Sequence, residues 1–201
     1  MNRRSLLFTL LAGAALTLSG AGCASATLIP DAERTSIQER LNGQTRFLKL
    51  SFYKGPFWQD EDKVLLSDIP PNDLSYLTDT KGEVVHAGAA TGLVPVGRKV
   101  RIAKVEFPTA VTIAARMVYT PRYHPWVFLE VEGEPSGKPC VLVLRENIKS
   151  QDEFNTVLGR FLTQDDPTPA LAQLPEAIKS AILLKQVVRD MDPVAVEMAW
   201  G

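Results

Sequence analysis

Near Asn147 the hydrophobic period of the chain changes, and that change constrains the fold more than any other feature. Before it, apolar residues tend to alternate with polar ones, the period of a half-buried strand; after it, they recur at three and four residues, the period of a helix. A chain with its strands and helices segregated in this way belongs to the α+β class rather than to the alternating α/β class. In "RKVRIAKVEF", Val100 and Ile102 share one phase and Val105 and Phe107 the other, so a bulge near Lys104 is expected. In "TAVTIAARMVY", Val111, Ile113, Ala115, Met117 and Tyr119 alternate strictly. This predicts a strand over 109–119 with Ile113 in the core, where Ile113→Asp would unfold the domain while Thr112 faces the other way. Arg46 to Phe52 ("RFLKLSF"), "KVLLSDI", "PWVFLEVEG" and "PCVLVLRE" read as further strands, separated by the turn-rich "PPNDL", "DTKGE" and "GEPSGK". The expected architecture is a small antiparallel barrel or sandwich over 46–147, followed by two or three helices over 148–201.

The helical part carries its own punctuation. Phe154, Val157, Leu158, Phe161 and Leu162 form one stripe, and Ser150 with Glu153 makes a capping box at its start. Pro175 and Glu176 open a second helix, expected to run to about Val188 and to bury Ile178, Ala181 and Ile182. Asp192 caps a third helix, with Pro193 at its first position.

The N-terminus reads as an address. Arg3 and Arg4 precede an apolar run from Leu6 to Leu18 that is short for a membrane span, and small residues follow. Residues 1–22 are therefore set aside as a signal segment. Gly20-Ala21-Gly22-Cys23 resembles a bacterial lipobox, although Gly20 stands where a large apolar residue is usual. The resemblance implies cleavage before Cys23, acylation of its thiol (diacylglycerol, with palmitate as a typical acyl chain), and a membrane anchor. Ala24, rather than aspartate, beside the cysteine implies an outer-membrane lipoprotein facing the periplasm. The alternative is ordinary cleavage after Ala26 and a secreted periplasmic protein. "NRRSLLF" also resembles a twin-arginine export signal. Residues 23–45 are polar, and "DAERTSIQERL" suits either a short helix or a tether.

Two further resemblances can be named. "GLVPVGRKVRI", Gly92 to Ile102, resembles the opening of a bacterial SH3-like barrel, and the likeness extends over about 82–146. The last segments, about 177–201, are similar to the small outer-membrane assembly lipoproteins of the BamE (SmpA/OmlA) type. Met191, Asp192, Val196 and Gly201 fall at matching positions, while Asp190 replaces a glycine and the terminal proline is missing. The family's strands would follow. Trp200-Gly201 therefore looks like a turn out of a helix, either in a shortened frame or in a helical pair reused alone.

Composition and chemistry narrow the function classes. The formal charge of −1 gives no basic footprint for nucleic acid, and two Cys and two His are few for a metal site. No cofactor and no catalytic residue are expected. Cys140 with His86 or His124 is the sole nucleophile pair to consider, and its setting in an apolar strand reads as core. Asp60-Glu61-Asp62 lacks the glycine that turns a calcium loop and reads as a solvated loop. Tyr53, Trp58, Tyr123 and Trp126 lie in proline-stiffened aromatic clusters, where they either bind a ligand or plug the ends of a barrel. Trp200 either packs internally or docks to a partner. The leading expectation is a non-enzymatic, membrane-anchored envelope module that binds an envelope protein or a cell-wall glycan. The alternatives are an envelope cysteine hydrolase using Cys140 and a structural spacer.

Overall fold

The computed structural model describes residues 27–134 and 137–201, so the signal-like segment and Cys23 lie outside the described residues. The chain is α+β, with an eight-stranded sheet curled into a half-barrel and, among the described residues, six α-helices. The strands are β1 (Thr45–Leu48), β2 (Phe52–Phe57), β3 (Asp60–Ser67), β4 (Gly92–Val94), β5 (Lys99–Glu106), β6 (Trp126–Val131), β7 (Cys140–Val143) and β8 (Leu162–Thr163). Their order is β4-β2-β3-β7-β6-β5-β1-β8. All neighbours are antiparallel except β3 and β7, which run parallel with Val64 opposite Cys140. The helices are α1 (Asp31–Leu41), α2 (Ala110–Ala115), α3 (Gln151–Gly159), α4 (Thr168–Ala172), α5 (Glu176–Leu183) and α6 (Pro193–Trp200).

The sheet is buried on both faces at its centre, which is why its central strands read as unbroken apolar runs. On one face Val127, Leu129, Cys140 and Leu142 join the main core, which α1 closes with Ile37 and Leu41 and α3 with Phe154, Val157 and Leu158. On the other face Trp126, Phe128, Val141 and Val143 meet Phe57, Trp58 and Leu65, covered by Leu74 and Ala87 from the β3–β4 connection. Residues 31–41 thus form a helix whose apolar residues belong to the folded body. A third cluster joins Val96 to Ile182 of α5 and to Ala195, Met198 and Ala199 of α6.

Several local expectations are met. The β5–β6 register slips between Ile102 and Lys104, so Ala103 is the bulged residue. Asp192 accepts from the Ala195 N–H at 2.7 Å and caps α6. The Asp79 carboxylate closes the "DTKGE" turn by accepting from the Lys81 and Glu83 N–H groups.

Others are corrected. Arg46 to Phe52 is two strands, not one. Leu48, Leu50 and Phe52 all remain buried, but the Lys49 N–H donates to Phe161 and the Ser51 N–H to Met198. The alternation there reports burial while the pairing partners change. Residues 109–119 are not a strand: Ala110–Ala115 is helix α2, with a capping box between Thr109 and Thr112. The Thr112 hydroxyl also donates to the Phe107 carbonyl at 2.6 Å, which pulls the chain off the line of β5. Val111 is exposed and Ile113 only half-buried, so the alternating residues do not face a core. At α3, Ser150 accepts from the Glu153 N–H, but the Glu153 carboxylate accepts from Lys149 one residue earlier, so the box is not reciprocal. Helix α5 stops at Leu183, and Lys185 turns the chain at φ 54°. Asp60 begins β3 and is buried against Lys63, while Glu61 and Asp62 are exposed.

Candidate functional site

The β2–β3 hairpin turns tightly at Trp58, which adopts φ 51°, an uncommon conformation for a bulky side chain. The turn is held from inside: the indole is buried, its Nε1 donates to the Val85 carbonyl at 2.9 Å, and its ring meets Phe57 edge-on at 5.3 Å. Beside this hairpin lies a groove of about 600 Å³. Pro56, Phe57, Trp58, Val64 and Cys140 give it an apolar floor and wall, and Glu61 and Lys138 stand at its margin. Two ion pairs cross its rim, Lys54–Glu134 and Lys63–Asp60, each at 2.6 Å. The segment after Val85 presses on β2 closely enough that a side chain at Gly88 would come within 2.9 Å of Pro56.

Cys140 sits in the floor of this groove. Burial, with the Glu134 carboxylate adding to it, pushes its thiol up to about 11, so the sulfur is protonated at neutral pH. His124 is engaged elsewhere: Nδ1 faces the Leu144 carbonyl at 2.9 Å and Nε2 the Glu146 carboxylate at 3.0 Å. His86 is exposed on the connection to β4. Among the described residues no group of three His, Cys, Asp or Glu side chains could hold a metal ion.

The aromatic candidates are divided between the core and the surface. Trp58 and Trp126 both pack on Phe57, the latter with ring centroids 4.9 Å apart, and the Trp126 indole donates to the Pro121 carbonyl. Of the four, Trp58 lines the groove. Tyr53 lies on β2 with the Lys185 ammonium 5.6 Å from its ring centroid. Tyr123 is exposed in the β5–β6 connection with the Arg122 guanidinium over its ring. Trp200 is half in water (52% exposed), and its Nε1 donates to the Lys185 carbonyl at 2.9 Å.

Two buried cations escaped the sequence reading. Arg116 stacks on Trp126 at 3.8 Å, pairs with Glu106 at 2.9 Å, and donates to the Arg122 and His124 carbonyls. Lys185 donates from Nζ to the Ser51 and Ala199 carbonyls at 2.6 and 2.8 Å. The one signal available for Lys185 was a lone charge inside the apolar "ILLKQVV". No family model matches the chain, and neither does any curated protein or solved structure.

Proposed function

We propose that this chain is an anchored bacterial envelope protein that binds a ligand in the β2–β3 groove without transforming it. The groove carries the reading: an apolar floor with two ion pairs at the rim, and Glu61 and Lys138 at its margin, suits a ligand with both apolar and hydrogen-bonding surface, such as a peptide strand or a cell-wall glycan. A protonated, buried Cys140 favours binding over the rival cysteine hydrolase. The address rests on Arg3, Arg4, the run to Leu18 and the lipobox-like Gly20 to Cys23. The SH3-like likeness remains part of this proposal. Against it, the strands on either side of the Gly97 turn do not pair with each other: β4 pairs with β2, and β5 with β1 and β6.

A photo-crosslinking residue at Glu61, on the groove margin, tests the binding in cells. A discrete adduct with an envelope component is expected from Glu61 and not from Asp152, an exposed residue of α3. No adduct, or the same adduct from both positions, would sink the binding reading. The mass of the mature N-terminus tests the address separately. Acylated Cys23 is expected; an N-terminus at Thr27 without lipid refutes the anchor.

A further inference from the structure

The connection between β5 and β6 shows its apolar side chains to solvent. Val111 is 78% exposed, Val118 63% and Tyr119 54%, and Met117 and Tyr123 are also exposed. From Phe107 to Pro125 there is no Asp or Glu, while Arg122 lies over the Tyr123 ring. The adjoining groove contributes no net charge, because Asp60, Asp62 and Glu106 are matched by Lys63, Lys104 and Arg116. The surface is also not a loose loop. Thr109 and Thr112 cap α2, and the buried Arg116 fixes the far end through Glu106, Arg122 and His124. A rigid face of aliphatic and tyrosine side chains, free of acids and edged by an arginine, has the chemistry of a membrane interface.

Its position agrees. The α1 residue Gln38 donates to the Val105 carbonyl and Glu33 accepts from the Gln151 N–H, so α1 runs back past the Glu106 end of β5. The start of the described chain, with Leu28 exposed, therefore lies at the same end of the sheet as this connection. Thr27 follows Cys23 by four residues, a reach of about 14 Å when extended. A lipid on Cys23 would hold that end of the body against the bilayer.

We propose that residues 111–123 form a lipid-docking face, with Val111, Met117, Val118 and Tyr119 entering the headgroup–acyl boundary and Arg122 meeting anionic headgroups. The proposal extends the envelope reading and shares its premise that the protein resides at a membrane. It is tested on the full exported chain, as Val118→Cys and, at the opposite end, Val194→Cys, each carrying a polarity-sensitive thiol dye. The buried, protonated Cys140 stays unlabelled. The protein is placed on vesicles of phosphatidylglycerol and phosphatidylethanolamine, by its acyl chains if Cys23 carries them and by simple mixing at millimolar lipid if it does not.

Flotation and the Cys23 mass report on the anchor, while the dye reports on this face. The expected result is a blue shift at Val118→Cys, with at least twofold quenching by nitroxide lipid, and neither change at Val194→Cys. A Val118→Cys dye that stays in water on these vesicles overturns the proposal. So do equal shifts at both sites, or a shift that needs no lipid and grows with protein concentration, which marks a second copy as the occupant. A shift that needs an added envelope protein extract overturns it too. A missing acyl group with an inserted Val118→Cys dye refutes the anchor and leaves the docking face standing.

Discussion

At the scale of single residues, the buried cations set the most specific expectations. Burial pulls the Lys185 ammonium down to about 8 from its ordinary 10.5, with Asp68 opposing the shift. Below pH 8 both the folded and the unfolded chain are charged there, and the folded state bears the full desolvation penalty. Between 8 and 10.5 the unfolded chain holds a proton that the folded protein has released, so stability rises with pH across that window and gains nothing more above it. The slope is at most about 1.4 kcal/mol per pH unit. Denaturant midpoints of the wild type should therefore rise relative to those of Lys185→Met between pH 8 and 10; parallel profiles would exclude the effect. Arg116 differs in kind, since besides its carbonyl partners it has a carboxylate, Glu106, to pair with. Arg116→Met should cost about 3 kcal/mol, because it strands the Arg122 and His124 carbonyls and weakens the neutralisation of Glu106. Trp200→Ala should cost about 1 kcal/mol rather than the roughly 3 of a fully buried aromatic, because half the ring is already wet and one indole hydrogen bond is lost.

Elements respond to what surrounds them, and α2 shows it best. With Ile113 half-buried on a short surface helix, an aspartate there can reach water. Ile113→Asp should cost about 1 kcal/mol, whereas Ile102→Asp, at a fully buried position of β5, should prevent folding. The tight turn between β4 and β5 has no such latitude. Gly97 has φ 78°, and a Cβ there would come within 2.4 Å of Thr168 in α4, so Gly97→Ala should lower the denaturant midpoint by more than Ile113→Asp does. These contrasts mark how far the sequence could be read. The α+β class, the Ala103 bulge and the α6 cap were legible because each is dictated by residues adjacent in the chain. Helix α2 was not, because Val111, Ile113 and Ala115 alternate like a strand, while the hydroxyls of Thr109 and Thr112 and the bonds of Arg116 to Glu106, Arg122 and His124 decide the outcome. The groove was hidden for a different reason, the distance along the chain between its walls. Trp58 was visible as a candidate, but its neighbours Lys54, Glu134 and Cys140 come together only when β2, β3 and β7 meet.

At the scale of the molecule, two apolar surfaces lie at opposite ends of β5, about 25 Å apart along the strand. The α2 connection follows its Glu106 end. The α5–α6 pair, with Leu184, Val187, Val194 and Trp200 exposed, sits beyond its Lys99 end, where α6 meets Lys49 and Ser51. Both sheet edges are short strands, β4 and β8, which leaves little edge for unwanted pairing with other chains. The parallel β3–β7 seam holds the two parts of the sheet together, and Cys140 lies in it. Its thiol, buried and protonated, should consequently react with a disulfide reagent far more slowly than an exposed thiol such as that of Val194→Cys, and equally rapid labelling of the two in the native state would contradict this. The same seam governs timing. Val64 must wait for Cys140, which leaves the ribosome much later, and pairings so distant in the chain form slowly. A half-sheet of β2 and β3 cannot lock by itself, so the first part of the chain stays pliable until Cys140–Val143 has been made, and a chain halted before that point should remain open to proteases.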